Sequence, residues 1–368
     1  MTATATATRQ TVRARTRVAT IDCDIHNSVP SEAALYPYLP ERWRGYAERF
    51  GLRSYRYGGA NYPRTNPNAA RTDSWPPNGA PPGADLPFLR EQLLDAWGIE
   101  YGVLNPLIDD GAPAQPNAEY GAAIASAIND WQVDAWLDPE PRLRASMVVP
   151  YEDGELAAAE IERLAGDSRF IQVLLLARTS EPLGRRKYWA MYEAAQRHDL
   201  PIGIHFGGVG GHAITGSGWP YFYLEDHVGM PQTMQAQVVS FVFEGVFEHF
   251  PALKVVLIEG GTAWLPSLMW RMDRSWELLR DEVPHVRRRP SEYVREHFWA
   301  TTQPMEEPPE REQFLQFLDR LGMDDRLMFA TDYPHWDFDS PDQAFPVKLA
   351  PDLERQIMAD NARALYRF

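Results

Sequence analysis

The residues best equipped for chemistry fall in two short runs, Asp22-Cys23-Asp24-Ile25-His26-Asn27 near one end of the chain and Thr331-Asp332-Tyr333-Pro334-His335 near the other. In an extended segment, side chains two apart point to the same side, so Asp24 and His26 can address a single point. A third apolar run ends in His205 and a fourth in Glu259. Imidazole nitrogens and carboxylate oxygens from Asp24, His26, His205 and Asp332 suit one divalent ion, Zn2+ first, with Mn2+ and Fe2+ as alternatives; Ca2+ prefers shells made wholly of oxygen. One histidine at a strand end is most often a hydrogen-bonded scaffold residue. Four such groups mean more only if the fold draws them together.

The elements around them supply that fold. Short apolar, β-rich runs at Val18 to Cys23, Gly102 to Asn105, Ala145 to Val149, Phe170 to Leu175, Pro201 to His205, Lys254 to Glu259, Phe298 to Thr301 and Leu327 to Asp332 read as strands. Segments with apolar residues three and four apart follow them and read as helices: Leu86 to Trp97, Ala118 to Leu137, Glu155 to Leu164, Arg186 to His198, Pro231 to Phe250, Ala263 to Arg280, Glu310 to Leu321 and Asp352 to Tyr366. Repeated βα units of this number predict an α/β fold, a closed (β/α)8 TIM barrel over residues 18–368. In such a barrel the C-terminal ends of the strands share one mouth. Two long segments follow strands and are expected to cap it: a lid insertion over about 28–85, rich in Tyr55, Tyr57, Tyr62, Arg64 and Trp75, and a mouth loop over about 206–230 carrying Trp219, Tyr221 and Tyr223.

Bulk properties narrow the partners. Lys and Arg number 36 against 51 Asp and Glu, a net charge of −15 that disfavours a phosphate backbone, so nucleic acid is not expected. With 44% hydrophobic and 12% aromatic residues the chain can fill a core. No run reaches the length of a membrane span. The single cysteine, Cys23, rules out an intrachain disulfide and a cysteine zinc site, and fits a reducing compartment, so the expected location is cytoplasmic. Residues 1–17, with Thr, Ala and Arg and no acid, read as a disordered tail.

These motifs resemble the amidohydrolase superfamily, and within it the amidohydrolase-2 branch that holds aminocarboxymuconate-semialdehyde, resorcylate and carboxyvanillate decarboxylases. The likeness runs through Asp22 to His26, Gly203-Ile204-His205, Phe247 to Gly261, and Ala330 to His335. It implies one divalent metal held by Asp24, His26, His205 and Asp332. Two departures stand out. Many members carry His or Glu where this chain has Asp24, and the aligned position of the usual strand-six His is Glu259.

Glu259 can serve as base toward a metal-bound water or as scaffold at the strand end. In the mouth loop, His212 and His227 can replace the absent imidazole, and His227 is favoured because Glu225 and Asp226 stand near to orient its ring. His335 and Trp336 are candidates for the rim, Asn27 for ligand contact, Arg178 for a carboxylate clamp and Tyr223 for an aromatic wall. The first functional expectation is a metal-dependent hydrolase acting on a small cyclic or aromatic acid, lactone or amide. The alternative is a nonoxidative decarboxylase in which Asp332 protonates carbon. A third reading is a barrel that binds a ligand without turnover. A small-molecule substrate and a homodimer are expected in either enzymatic case.

Overall fold

Eight short runs form parallel strands: β1 Thr20–Ile25, β2 Ile99–Leu104, β3 Leu143–Val148, β4 Phe170–Leu176, β5 Ile202–His205, β6 Val255–Ile258, β7 Phe298–Thr301 and β8 Leu327–Met328. The computed structural model describes residues 19–52, 69–106, 115–208, 213 and 216–368. The strands run in the order β1 to β8, each paired with the next. Most strand residues are buried on both faces, which is why the strands read as mostly apolar runs. This is the expected (β/α)8 barrel.

The seam between β8 and β1 is closed differently. There, backbone bonds run from Cys23 to Phe329 (2.9 Å), from Asp332 to Asp24 (3.1 Å) and from His26 to Tyr333 (2.7 Å), beyond the end of a two-residue β8. The sequence expectation carried that strand to Asp332. It ends early because the next amides bond outside the ladder: Phe329 donates to the Ile357 carbonyl, Ala330 to the Thr302 hydroxyl and Thr331 to Asp22. Buried Asp22 ties the seam, accepting from the Thr331 amide (2.9 Å) and hydroxyl (2.6 Å).

Helices cover the strands, and side chains cap three of them: Asn117 on Tyr120, Asp153 on Leu156 and Asp85 on Phe88. The expected helix Pro231 to Phe250 is two pieces, Pro231–Phe243 and Val246–His249, because Gly245 turns the chain at φ 75. A helix at Pro290–His297 leads into β7 and was not expected. No described helix is long and apolar enough to cross a membrane.

The two long segments reach the mouth. The first contains a 3-10 stretch at Glu32–Tyr38 and a helix at Glu41–Phe50; Ala70 then bridges His335, and the Arg71 amide donates to the Pro334 carbonyl. Gly83, at φ 76, lies so close beneath the His26 carbonyl that a Cβ there would collide with it. The second segment contains a helix at Tyr223–Gly229, here the mouth helix, with Asp226 and Gly229 buried. The expected tail, Tyr55, Tyr57, Tyr62, Arg64 and His212 lie outside the described residues.

Candidate metal centre

Strand ends bring five side chains to one place. Asp24, His26, His205, Glu259 and Asp332 each offer an atom within 4.8 Å of every other, and all five are buried. The first two come from the end of β1, His205 closes β5, Glu259 follows β6, and Asp332 follows β8. Glu259 and Asp332 are both non-glycine residues at positive φ, 56 and 60. Backbone of this kind is costly and collects where function demands a side-chain direction.

Hydrogen bonds set the ring faces. The Nδ1–H of His26 donates to the Asn105 carbonyl (2.7 Å), and that of His205 donates to the Phe206 carbonyl (2.5 Å). With Nδ1 so committed, each ring turns Nε2 inward, as a lone pair whenever that nitrogen carries no proton. For His26 that lone pair faces Asp332 Oδ1 at 2.8 Å and Asp24 Oδ1 at 3.5 Å. For His205 it faces Glu259 Oε2 at 3.0 Å and Asp24 Oδ2 at 3.4 Å, with no aligned hydrogen bond. Lone pairs set against carboxylates at these distances require either protons or a cation between them.

The protein's own charges reveal the same demand. Burial alone would lower the proton affinity of His26, but Asp24 and Asp332 outweigh it and push the imidazole up to about 9. Burial likewise opposes ionisation of Asp332, yet His335 and His26 hold its carboxyl far below the usual range. Asp24 is also lowered against its burial, by His26 and His205. Asp24 Oδ2, His205 Nε2 and Asp332 Oδ2 are buried without a hydrogen-bond partner. Buried polar atoms are rarely left so. Three of them converging, in a mixed nitrogen and oxygen set, fit a divalent transition ion.

Beside this group stands a second. His227 lies 2.9 Å through Nε2 from Asp337 Oδ2, and both lie with Glu259 inside the same 4.8 Å limit. Gln303 donates to Asp337 (2.9 Å), and the His227 ring packs 5.2 Å from that of Trp336. Burial lowers the proton affinity of His227, but the Asp337 bond and charge raise it on balance. The sequence reading expected Glu225 or Asp226 to orient this ring; Asp337 does so.

Other candidates are placed as follows. His335 donates Nδ1–H to Asp332 Oδ1 at 2.7 Å, its ring 4.4 Å from that of His26. Trp336 donates to the Tyr223 hydroxyl (3.1 Å) at the half-open rim. Arg178 pairs with Asp226 at 2.8 Å and so ties the mouth helix to the end of β4. Asn27, next to His26 in the chain, is fully buried and donates to Gln132 (3.4 Å), while its Oδ1 has no hydrogen-bond partner. Two contributors escaped the sequence reading. Asp337 follows His335 by two positions, and Asn105 stands one residue past β2, where the strand-end rule that selected His205 also applies.

The family model described as Amidohydrolase matches residues 21–368. The chain belongs to the Amidohydrolase family. Among its curated relatives, a gamma-resorcylate decarboxylase from a Polaromonas species is 26% identical over 317 residues, 78% of this chain and 93% of the relative. Among solved structures, a Polaromonas dihydroxybenzoic acid decarboxylase with bound manganese and 2-nitroresorcinol aligns at TM-score 0.64 and 20% identity, covering 95% of this chain and 97% of its own. A Novosphingobium aromaticivorans 5-carboxyvanillate decarboxylase, complexed with manganese and 4-hydroxy-3-methoxy-5-nitrobenzoic acid, aligns at TM-score 0.70 and 17% identity, covering 95% and 96%. At such identities the solved structures speak for the fold. The relatives are decarboxylases, so the reading placed second in the sequence analysis now ranks ahead of hydrolysis.

Proposed function

We propose that this chain is a metal-dependent nonoxidative decarboxylase of a small aromatic acid. What carries the reading is the convergence of three unpartnered buried donor atoms, on Asp24, His205 and Asp332, in a chain that resembles decarboxylases over most of its length. Asp24, His26, His205 and Asp332 are the proposed ligands, with Glu259 beside them. Mn2+ joins Zn2+ as a leading candidate, since the decarboxylase structures above hold manganese. When bound, such an ion supplies a Lewis acid that neutralises the substrate's carboxylate and an adjacent oxygen.

The protein's own groups then manage one proton. Asp332 is strongly stabilised as a carboxylate, so it passes a proton rather than storing one; His335, at 2.7 Å and partly open to solvent, supplies it. A C–H bond forms at the ring carbon bearing the carboxylate, the bond from that carbon to the carboxylate breaks, its electron pair returns to the ring, and CO2 leaves. His227, steadied by Asp337, is the proposed second acid or base, and Tyr223 and Trp336 the aromatic wall. A homodimer belongs to the same proposal, supported by exposed Trp270, Leu278 and Leu279 on the helix Leu265–Leu279.

The test is an assay of Mn2+-loaded protein against 2,6-dihydroxybenzoate, 5-carboxyvanillate and cyclic lactones. Release of CO2 with the matching phenol is expected. Consumption of water with no CO2 from any acid returns the hydrolase reading, and protein that binds no metal removes both.

A further inference from the structure

Asn105 holds both candidate ligands of the first strand. Its backbone carbonyl accepts the Nδ1–H of His26 at 2.7 Å, and its side-chain Nδ2 donates to Asp24 Oδ1 at 2.8 Å. Nδ2 also donates to the Cys23 carbonyl (3.2 Å), while Oδ1 accepts from the Ser146 hydroxyl (2.5 Å) and from Gln172 Nε2 (3.1 Å). All four hydrogen-bonding positions of the amide are used. A flipped amide would set its oxygen against a carboxylate and a carbonyl.

The direction of this network is imposed from further away. Gln172 Nε2 also donates to the Ser146 hydroxyl (2.8 Å), and Gln172 Oε1 accepts from the Tyr366 hydroxyl (2.8 Å). Tyr366 belongs to the last helix, Asn361–Tyr366, and Gln172 lies in the first half of β4. Asn105, Ser146 and Gln172 are wholly buried and Tyr366 nearly so, so no member can turn to water as a substitute.

We infer that Asn105, oriented by a one-way chain of hydrogen bonds starting at the Tyr366 hydroxyl, is the positioning residue for the ligand pair Asp24 and His26. It engages Asp24 Oδ1 and His26 Nδ1, and so would leave the unpartnered Asp24 Oδ2, together with His26 Nε2, to hold the ion. The C-terminal helix becomes part of the metal site without touching it. This inference rests on the ligand assignment proposed above.

The experiment measures Mn2+ affinity by chelator competition for the full chain and for Asn105→Ala, Gln172→Leu and Tyr366→Phe, together with the melting temperature of each metal-free protein. Removing supporting hydrogen bonds of this kind weakens metal binding about 10- to 100-fold. The expected order of loss is Asn105→Ala, then Gln172→Leu, then Tyr366→Phe, with an altered Mn2+ electron paramagnetic resonance line shape in each. Tyr366→Phe keeps the ring and its packing, so it separates loss of the hydroxyl from loss of the fold. Unchanged affinity in all three, or affinity that only follows the metal-free melting temperature, overturns the inference. Wild-type protein that binds no Mn2+ overturns the ligand assignment and the inference with it.

Discussion

Nε2 of His26 lies 2.8 Å from Oδ1 of Asp332, although 306 positions separate the two residues in the chain. The contact spans the seam of the barrel and joins the first strand to the segment after the last. It makes the two ends of the fold one chemical unit.

Replacing either side of that unit has a definite outcome. Asp332→Asn and His205→Ala are each expected to empty the site of metal and to lower turnover by at least ~100-fold, more than loss of a merely supporting group. Metal content by mass spectrometry and CO2 release on the same samples check this. Retained metal with full turnover in both variants removes these residues from the site.

Metal removal is expected to cost stability. Asp24, Glu259 and Asp332 crowd together in the described site, and a bound cation offsets their repulsion. At a free ion concentration about 100-fold above Kd, binding stabilises by ~2.7 kcal/mol. Chelator-treated protein therefore melts several degrees lower, and added Mn2+ or Zn2+ restores it. A melting temperature indifferent to both ions contradicts the assignment.

The Arg178–Asp226 pair is expected to hold the mouth helix rather than to wait for substrate. Breaking a buried pair by removing one partner costs about 3–5 kcal/mol, and the slight exposure of this one, 11% and 7%, places it at the lower end. Asp226→Leu and Arg178→Met should each destabilise the protein in urea, and the double variant should recover much of the loss. A pure rise in KM for Arg178→Met with unchanged stability would instead return the carboxylate clamp.

Asp339 supplies a pH signature. Burial, then Asp337, Glu307 and Asp332, raises its carboxyl to about 7 from the ordinary 3.8. The folded state therefore holds this proton more tightly than the unfolded state, and stability falls as pH climbs from 3.8 to about 7. Asp339→Asn stays neutral throughout. Its melting temperature should exceed that of the wild type at pH 8 and approach it near pH 4; an advantage of equal size at both values refutes the shift.

Gly83 gives a geometric test. Its φ of 76 and the nearness of the His26 carbonyl leave no room for Cβ, so Gly83→Ala must displace the lid segment or the first-strand ligands. A loss of about 1–3 kcal/mol is expected, with weakened metal binding. Wild-type stability and affinity would show that the segment shifts freely.

The barrel was legible because strands buried on both faces leave mostly apolar runs, such as Phe170–Leu176 with Gln172 its one polar member, that local pattern alone exposes. The candidate ligands were legible because residues at strand ends share the mouth by construction. Asp337 and Asn105 were not read, since what distinguishes them is a partner far away in the chain: His227 for one, Asp24 and Gln172 for the other. The partner of Arg178, Asp226 on a loop helix, is hidden from the sequence for the same reason. The early end of β8 follows from the amides of Phe329, Ala330 and Thr331, whose partners Ile357, Thr302 and Asp22 a β-rich run cannot reveal.

The short β8 has a mechanical consequence. A cylinder of strands can part where it lacks a regular ladder, and here that joint lies beside the proposed ligands. An occupant gripped from both sides acts as a rivet across it. Amide hydrogen exchange around Cys23 and Phe329 should then slow on loading far more than exchange between β3 and β4, where the ladder already does the fastening.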